Sequence, residues 1–207
     1  MAATRIDRCP WPGITDPEYA RYHDEEWGVP LLDDRALFEK LVLEGFQAGL
    51  SWLTILKKRE NFRRAFHDFD AEKIARFKDR DIARLMNDAG IVRNKLKIEA
   101  TIDNAKAYLA LSQRTRLSHF IWGHLAAGPI QNRLSRIKDA PAQTDLSKSI
   151  SKALKAEGFR FVGPTTVYAF MQSSGMVNDH LVSCPRYDAC AKLQKAVKVP
   201  TLRRMGP

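Results

Sequence analysis

The feature that most constrains how this chain can fold is a carboxylate set into an apolar helical stripe. Leu37, Leu41, Glu44 and Ala48 step by four, three and four residues, so they share one face of a helix. Phe38, Val42 and Gly45 widen the stripe. Glu44 therefore points inward, with Trp27 and Trp52 near it in sequence. A buried carboxylate without a partner is costly. Glu44 either has a structural role, such as capping a neighbouring helix, or performs a function.

The rest of the chain reads as further short helices. Asp16-Pro17-Glu18 supplies an N-cap, a proline at the first helical position and a first-turn acid. That helix carries Tyr19, Tyr22 and His23 and ends by Gly28. Asp33 or Asp34 caps the Glu44 helix, which stops near Gly49. Ser51 caps a third helix from Trp52 to about Phe66, its Lys57–Arg64 charges mostly outward. Asp70 caps a short helix, residues 79–88 form another with Gly90 at the C′ position, and a long one runs from about Arg93 to Ser112. Ser118 begins a short apolar segment, and residues 126–144 have loop composition. Residues 145–157 are helical and stop at Gly158, and a tight turn then feeds a helix ending near Gly175. No strand alternation and no long-period repeat is visible. The expectation is an all-α chain of roughly nine short helices. Residues 1–184 form one domain, and a polar, basic tail over 185–207 is expected to lack structure of its own.

With 207 residues, 44% hydrophobic and 28% charged, the chain is of ordinary globular composition. No apolar run approaches the ~20 residues of a membrane span, and the first residues lack the apolar core of a signal peptide. A soluble, cytoplasmic protein is expected. Lys plus Arg is 34 against 24 for Asp plus Glu, a net charge of +10. That favours a polyanionic partner, nucleic acid first, over a merely solvated basic surface. The excess clusters at Lys57-Lys58-Arg59 with Arg63 and Arg64, at Arg93, Lys95 and Lys97, and in the tail. Three cysteines, Cys9, Cys184 and Cys190, argue against a disulfide framework and leave metal ligation or free thiols.

Three motifs could carry chemistry. Phe159-Arg160-Phe161-Val162-Gly163-Pro164-Thr165-Thr166 is a tight turn into a helix, with Gly163 supplying backbone freedom and Pro164 opening the helix. The free N–H groups at Phe161, Val162, Gly163, Thr165 and Thr166 could hold a DNA phosphate without side-chain charge. The turn resembles the helix-hairpin-helix signature Leu-Pro-Gly-Val-Gly-Pro, though the signature's first glycine is replaced by Phe161. Second, His180 and Cys184 stand four apart, and Cys9 and His23 lie at the other end of the chain. Two cysteines and two histidines suit a closed tetrahedral zinc site, with Cys190 an alternative fourth ligand; unrelated buried residues are the competing reading. Such a site would be structural and would close a very long loop. Third, Trp11, Tyr19, Tyr22, Trp27 and Trp52 surround Glu44 in sequence, a set suited either to ordinary core or to a flat cationic ring.

Long stretches of these residues, in order, resemble 3-methyladenine DNA glycosylase I. They are Tyr22-His23-Asp24, Glu26-Trp27-Gly28-Val29-Pro30, Leu43-Glu44-Gly45, Gln47-Ala48-Gly49-Leu50-Ser51-Trp52, Leu56-Lys57-Lys58-Arg59-Glu60-Asn61, Phe161-Val162-Gly163 and Val177-Asn178-Asp179-His180. The likeness covers about residues 8–184. It implies the helix-hairpin-helix glycosylase fold, two helical lobes about a cleft, with zinc on Cys9, His23, His180 and Cys184 tying the termini. It implies hydrolysis of the N-glycosidic bond of 3-methyladenine in alkylated double-stranded DNA, leaving an abasic site; a monomer is the default expectation. On that reading Glu44 accepts hydrogen bonds from the base, Trp52 stacks on it, Tyr22 and Trp11 complete the wall, and Trp27 and Tyr19 support them. Asp179, near where the wider superfamily carries a catalytic aspartate, is assigned a structural role. Phe46 stands where the family commonly has glutamine, beside the expected pocket. The rivals are a non-catalytic binder of alkylated DNA and a zinc-dependent hydrolase.

Overall fold

The computed structural model describes residues 8–199. Eleven α-helices appear in it: α1 (Pro17–Glu25), α2 (Asp34–Gln47), α3 (Trp52–Leu56), α4 (Arg59–Ala65), α5 (Ala71–Ile74), α6 (Asp79–Asn87), α7 (Lys95–Ser112), α8 (Leu117–Trp122), α9 (Asp145–Ala156), α10 (Pro164–Ser173) and α11 (Arg186–Lys195). Two-residue strands β1 (Ile130–Gln131) and β2 (Val177–Asn178) pair in parallel, and short 3₁₀ turns lie at His67–Phe69 and Ile137–Asp139.

Local chemistry explains where most helices start. The Asp16 carboxylate accepts the N–H groups of Glu18 and Tyr19, Asp33 accepts that of Ala36, and Ser51 that of Thr54. Asp34, the first residue of α2, also accepts the Ser118 N–H at 2.9 Å and pairs with Arg116, which moors α8 to α2.

Helix α2 is the axle of the molecule. It packs on α3, α7, α8 and α10, and Leu37 to Phe46 present buried side chains almost all round it. Such a helix must be covered on every side. On one flank α7 contacts α5, α6 and α8; on the other α10 packs on α9. Phe46, Phe62, Phe66 and Phe69 form an aromatic ladder on the first flank, with centroids 4.7–6.2 Å apart. Phe46 is thus core, not pocket, and the pocket-facing neighbour is Gln47.

Several expectations are revised. The single helix foreseen from Trp52 to Phe66 breaks at Lys57–Lys58, whose N–H groups bond to Leu53 and Ile55 carbonyls before α4 starts afresh. Arg59 turns inward there to a two-pronged pair with Glu26, 2.5 and 2.9 Å. Lys97 is not part of a basic surface: its ammonium is buried and donates to the Phe46 and Ala48 carbonyls at 2.9 and 2.7 Å. It thereby satisfies carbonyls left open at the C-terminus of α2. Gly90 does not adopt the left-handed conformation foreseen for it, whereas Gly158 does, at φ +93°.

The segment after Pro185 is ordered as α11 and belongs to the body of the protein. Gln194 is fully buried and donates to the Gly28 carbonyl at 2.8 Å, and Asn178 donates to the Tyr187 carbonyl at 3.0 Å. The basic residues foreseen beyond Val199 lie outside the described residues. Gly175 fixes the approach of α10 to the Val29–Pro30 segment: at φ +74°, a Cβ there would fall 2.4 Å from the Pro30 nitrogen. No helix among the described residues is long and apolar enough to cross a membrane.

Candidate active site and metal centre

Trp11, Tyr19, Tyr22, Trp27, Glu44 and Trp52 line one cavity of about 240 Å³, together with Pro12, Gln47, Ala169 and Gln172. The aromatic rings touch in sequence around it. Trp11 meets Trp27 edge-on at 4.7 Å and Tyr19 at 5.2 Å, and Tyr22 meets Trp52 at 5.3 Å. Helix α1 presents Tyr19 and Tyr22, α2 presents Glu44, and α3 presents Trp52.

Glu44 is 4% exposed and accepts one hydrogen bond, from the Ser173 hydroxyl at 2.8 Å. Burial raises its carboxyl to about 7, against the Ser173 bond and the Lys40 charge, which both lower it. The group is therefore poised to change charge at neutral pH. Burial, with help from Glu44, raises the Tyr19 and Tyr22 phenols, so both remain hydroxyl donors. The indole N–H of Trp52 is buried and has no acceptor among the described residues.

The turn between α9 and α10 carries backbone strain. Its left-handed non-glycine residue is Phe161, φ +55°, while Gly163 has an ordinary φ of −62°. The glycine that the hairpin signature places at Phe161 is thus missing at the one position where it would relieve strain. Three contacts hold the turn. Asn104 pins both backbone groups of Arg160, at 2.6 and 3.1 Å, and the Ser151 hydroxyl donates to the Val162 carbonyl at 2.6 Å. Gly45 leaves room for Phe161, since a Cβ there would stand 3.3 Å from that of Phe161. Nothing lies within 4 Å of a Cβ built on Gly163, and α10 starts with Pro164 and no side-chain cap. The N–H groups of its first turn, including those of Thr165 and Thr166, are left for an outside acceptor.

Cys9, His23, His180 and Cys184 are all buried, and their ligand atoms lie within 4.8 Å of one another. The four could hold a metal ion. Cys184 Sγ is 3.7 Å from both His23 Nε2 and His180 Nδ1, and Cys9 Sγ is 3.7 Å from His180 Nδ1. The other ring nitrogen of each histidine is occupied: His23 Nδ1 faces Asp24 Oδ1 at 2.8 Å and His180 Nε2 faces the Trp27 carbonyl at 3.0 Å. Hydrogen bonds from Cys9, His180 and His23 hold the Cys184 thiol well below its ordinary range, while its bond to Cys184 and burial push Cys9 up. Cys190, the alternative ligand, lies beside the Trp27 carbonyl and Gly28, outside the four.

Asp179 lies outside the cavity wall. It is buried and accepts hydrogen bonds from Asn132 and Gln172 at 2.7 Å and from Tyr168 at 2.8 Å. Through Gln172 it positions one wall residue. Gln47, Gln172 and Ser173 escape a sequence reading. Gln172 and Ser173 come from a helix some 130 positions from Glu44, and no spacing rule connects them.

The family model described as methyladenine glycosylase matches residues 11–187. The DNA-3-methyladenine glycosylase of Haemophilus influenzae is 51% identical over 179 residues, 86% of this chain and 96% of that protein. DNA-3-methyladenine glycosylase 1 of Escherichia coli is 48% identical over 183 residues, 88% of this chain and 97% of that protein. A variant of 3-methyladenine DNA glycosylase I, solved in complex with 3-methyladenine, superimposes with a TM-score of 0.80 at 42% identity, covering 83% of this chain and 93% of that one. A family match across most of the chain, relatives near half identity and a shared helical architecture agree on one conclusion: this chain belongs to the methyladenine glycosylase family.

Proposed function

We propose that the protein excises 3-methyladenine from alkylated double-stranded DNA by hydrolysing its N-glycosidic bond, leaving an abasic site. The observation that carries this reading is the aromatic cavity with a single buried carboxylate, Glu44, in its wall. Methylation at N3 makes adenine cationic in DNA, so its glycosidic bond is already activated and needs little acid help. Selectivity then comes from binding. A flipped cationic ring gains from aromatic faces, and the Glu44 carboxylate accepts N–H groups of the base. Trp52 stacks on the ring, Tyr22 and Trp11 close the wall, and Trp27 and Tyr19 hold them in place. Unmethylated adenine lacks the positive charge and gains less.

The turn at 161–166 grips a phosphate through the amides of the α10 N-terminus. Leu50 is 42% exposed on the link between Gln47 and Trp52, both of which line the cavity. That exposure beside the cavity supports Leu50 as the side chain that fills the gap left by the flipped base. The metal of the four-residue cluster is zinc. Tetrahedral zinc with ordinary Zn–S and Zn–N bonds sets an S···N edge of about 3.6 Å, and three of the cluster's S···N distances are 3.7 Å. With every position filled by protein, zinc here is structural. The protein acts as a monomer in the cytoplasm, on the DNA it meets there.

The test is release of free base from methylated duplex DNA by the wild type and by Glu44→Gln. Release by the wild type, with a loss of two or more orders of magnitude in the variant, is expected. Binding without release by the wild type would overturn the reading in favour of a non-catalytic binder.

A further inference from the structure

Behind the base cavity lies a second one of about 220 Å³, which shares the Trp52 wall. Lys40, Glu26, Glu39, Arg59 and Ser173 help to line it. Among the described residues its cations are paired with one exception, and of its carboxylates Glu25, which is exposed, has no ion pair. Arg59 is committed to Glu26, and Arg63 to Glu39 at 2.7 Å. Lys40 is partly buried and makes no hydrogen bond or ion pair among the described residues; its ammonium stands over the face of Tyr22, 5.4 Å from the ring centre. It is also four residues before Glu44 on α2, one helical turn away on the same face. The remaining groups around Glu44 are neutral: Ser173 from α10, Tyr19 and Tyr22 from α1, and Trp52 from α3.

We infer that Lys40 is a positioning residue for the excision reaction, an ammonium placed behind Glu44 that keeps its carboxylate charged in the closed pocket. This rests on the reading of Glu44 as the group that meets the base. Geometry makes Lys40 the uncommitted cation of the wall: its neighbours Arg59 and Arg63 already have carboxylates, and it has only the Tyr22 face. The direction of the Glu44 shift agrees, since the Lys40 charge opposes the rise that burial imposes. Burial in turn lowers the Lys40 ammonium, while Glu26 and Glu44 support its charge. Without Lys40 the carboxyl takes up its proton at higher pH. A protonated Glu44 can no longer offer both oxygens to N–H donors.

The experiment is base release from methylated duplex DNA as a function of pH, between about pH 5.5 and 9, for wild type, Lys40→Met, Lys40→Gln, Lys40→Arg and Glu44→Gln. Both neutral variants are expected to lose roughly tenfold at the acid end and to approach wild type at the alkaline end, the mark of a rise of about one pH unit in the controlling group. Lys40→Arg, which keeps the charge, is expected to restore the wild-type profile. In the Glu44→Gln background Lys40→Met is expected to change nothing further. A loss by one constant factor at every pH, or the same loss with and without Glu44, would assign Lys40 to packing against Tyr22 and overturn the inference. Full activity of Glu44→Gln would overturn the reading of Glu44 itself. An impaired Glu44→Gln beside an unmoved Lys40→Met profile would overturn the inference about Lys40 alone.

Discussion

Replacing Glu44 by glutamine is expected to stabilise the fold while it disables the enzyme. The carboxyl titrates at about 7 in the folded chain against an ordinary 4.5. The folded chain therefore holds a proton that the unfolded chain has released. Stability falls as the pH climbs between those two values and stays lowered above them. That difference corresponds to about 3 kcal/mol at pH 8. Glutamine removes the charge and keeps an oxygen for the Ser173 hydroxyl, which now donates to Glu44 Oε1. Its amide N–H₂ must be accommodated in a dry wall, which costs about 1 kcal/mol. The net gain is about 2 kcal/mol at pH 8, or some 4–8 °C in Tm for a chain of this size. Below about pH 4 both states are protonated and the gain disappears. Thermal unfolding of both proteins at about pH 8 and about pH 4.5 checks this, alongside base release from methylated DNA. A variant less stable than wild type at pH 8, or equally stabilised at both pH values, would refute the reasoning. It would show that Glu44 is held by a structural partner and is not strained by its burial.

The other predictions concern the frame around that wall. Gly175→Ala is expected to cost at least about 3 kcal/mol, because a Cβ would overlap the Val29–Pro30 backbone; chemical denaturation measures it. Lys97→Met leaves the Phe46 and Ala48 carbonyls without their donor and is expected to cost about 1–3 kcal/mol, with a weaker hold on Glu44 visible as reduced base release. Cys184→Ser is expected to lower metal content, measured by elemental analysis, and to lower Tm. Prolonged chelation of the wild type is expected to do the same. Leu50→Gly is expected to impair release from duplex DNA by about tenfold while free 3-methyladenine still binds; equal losses in both assays would remove Leu50 from the role of wedge.

Much of the site was legible because it lies on local patterns. The four-three-four spacing puts Glu44 inward whatever surrounds it. Asp16-Pro17, Asp33 and Ser51 each start a helix through an oxygen that reaches amides two or three residues on. What stayed hidden depends on partners distant in sequence. Lys57–Lys58 carries no glycine or proline, yet the chain turns there so that Arg59 can reach Glu26. Helix α11 reads as a polar tail, because its buried anchor, Gln194 on Gly28, joins residues far apart in sequence. Lys97 reads as a surface cation and is in fact the cap of α2. Phe161 departs from the hairpin signature by side chain but keeps the left-handed backbone that the glycine would have supplied. Sequence shows the substitution, and only the surrounding contacts show that the backbone conformation survives it.

The cluster of Cys9, His23, His180 and Cys184 also sets an order of events during synthesis. Cys9 and His23 leave the ribosome early, whereas His180 and Cys184 come some 160 residues later. Translation proceeds at about 5–20 residues per second, so the early pair waits many seconds for its partners. Trp11 and Trp27 pack against His23 and His180, so this wall of the cavity lacks part of its support until His180 has emerged. A chain interrupted before His180 would have Glu44 and Trp52 but not the ring against which Trp27 packs. Assembly of the closed pocket is in this way made conditional on synthesis past Cys184.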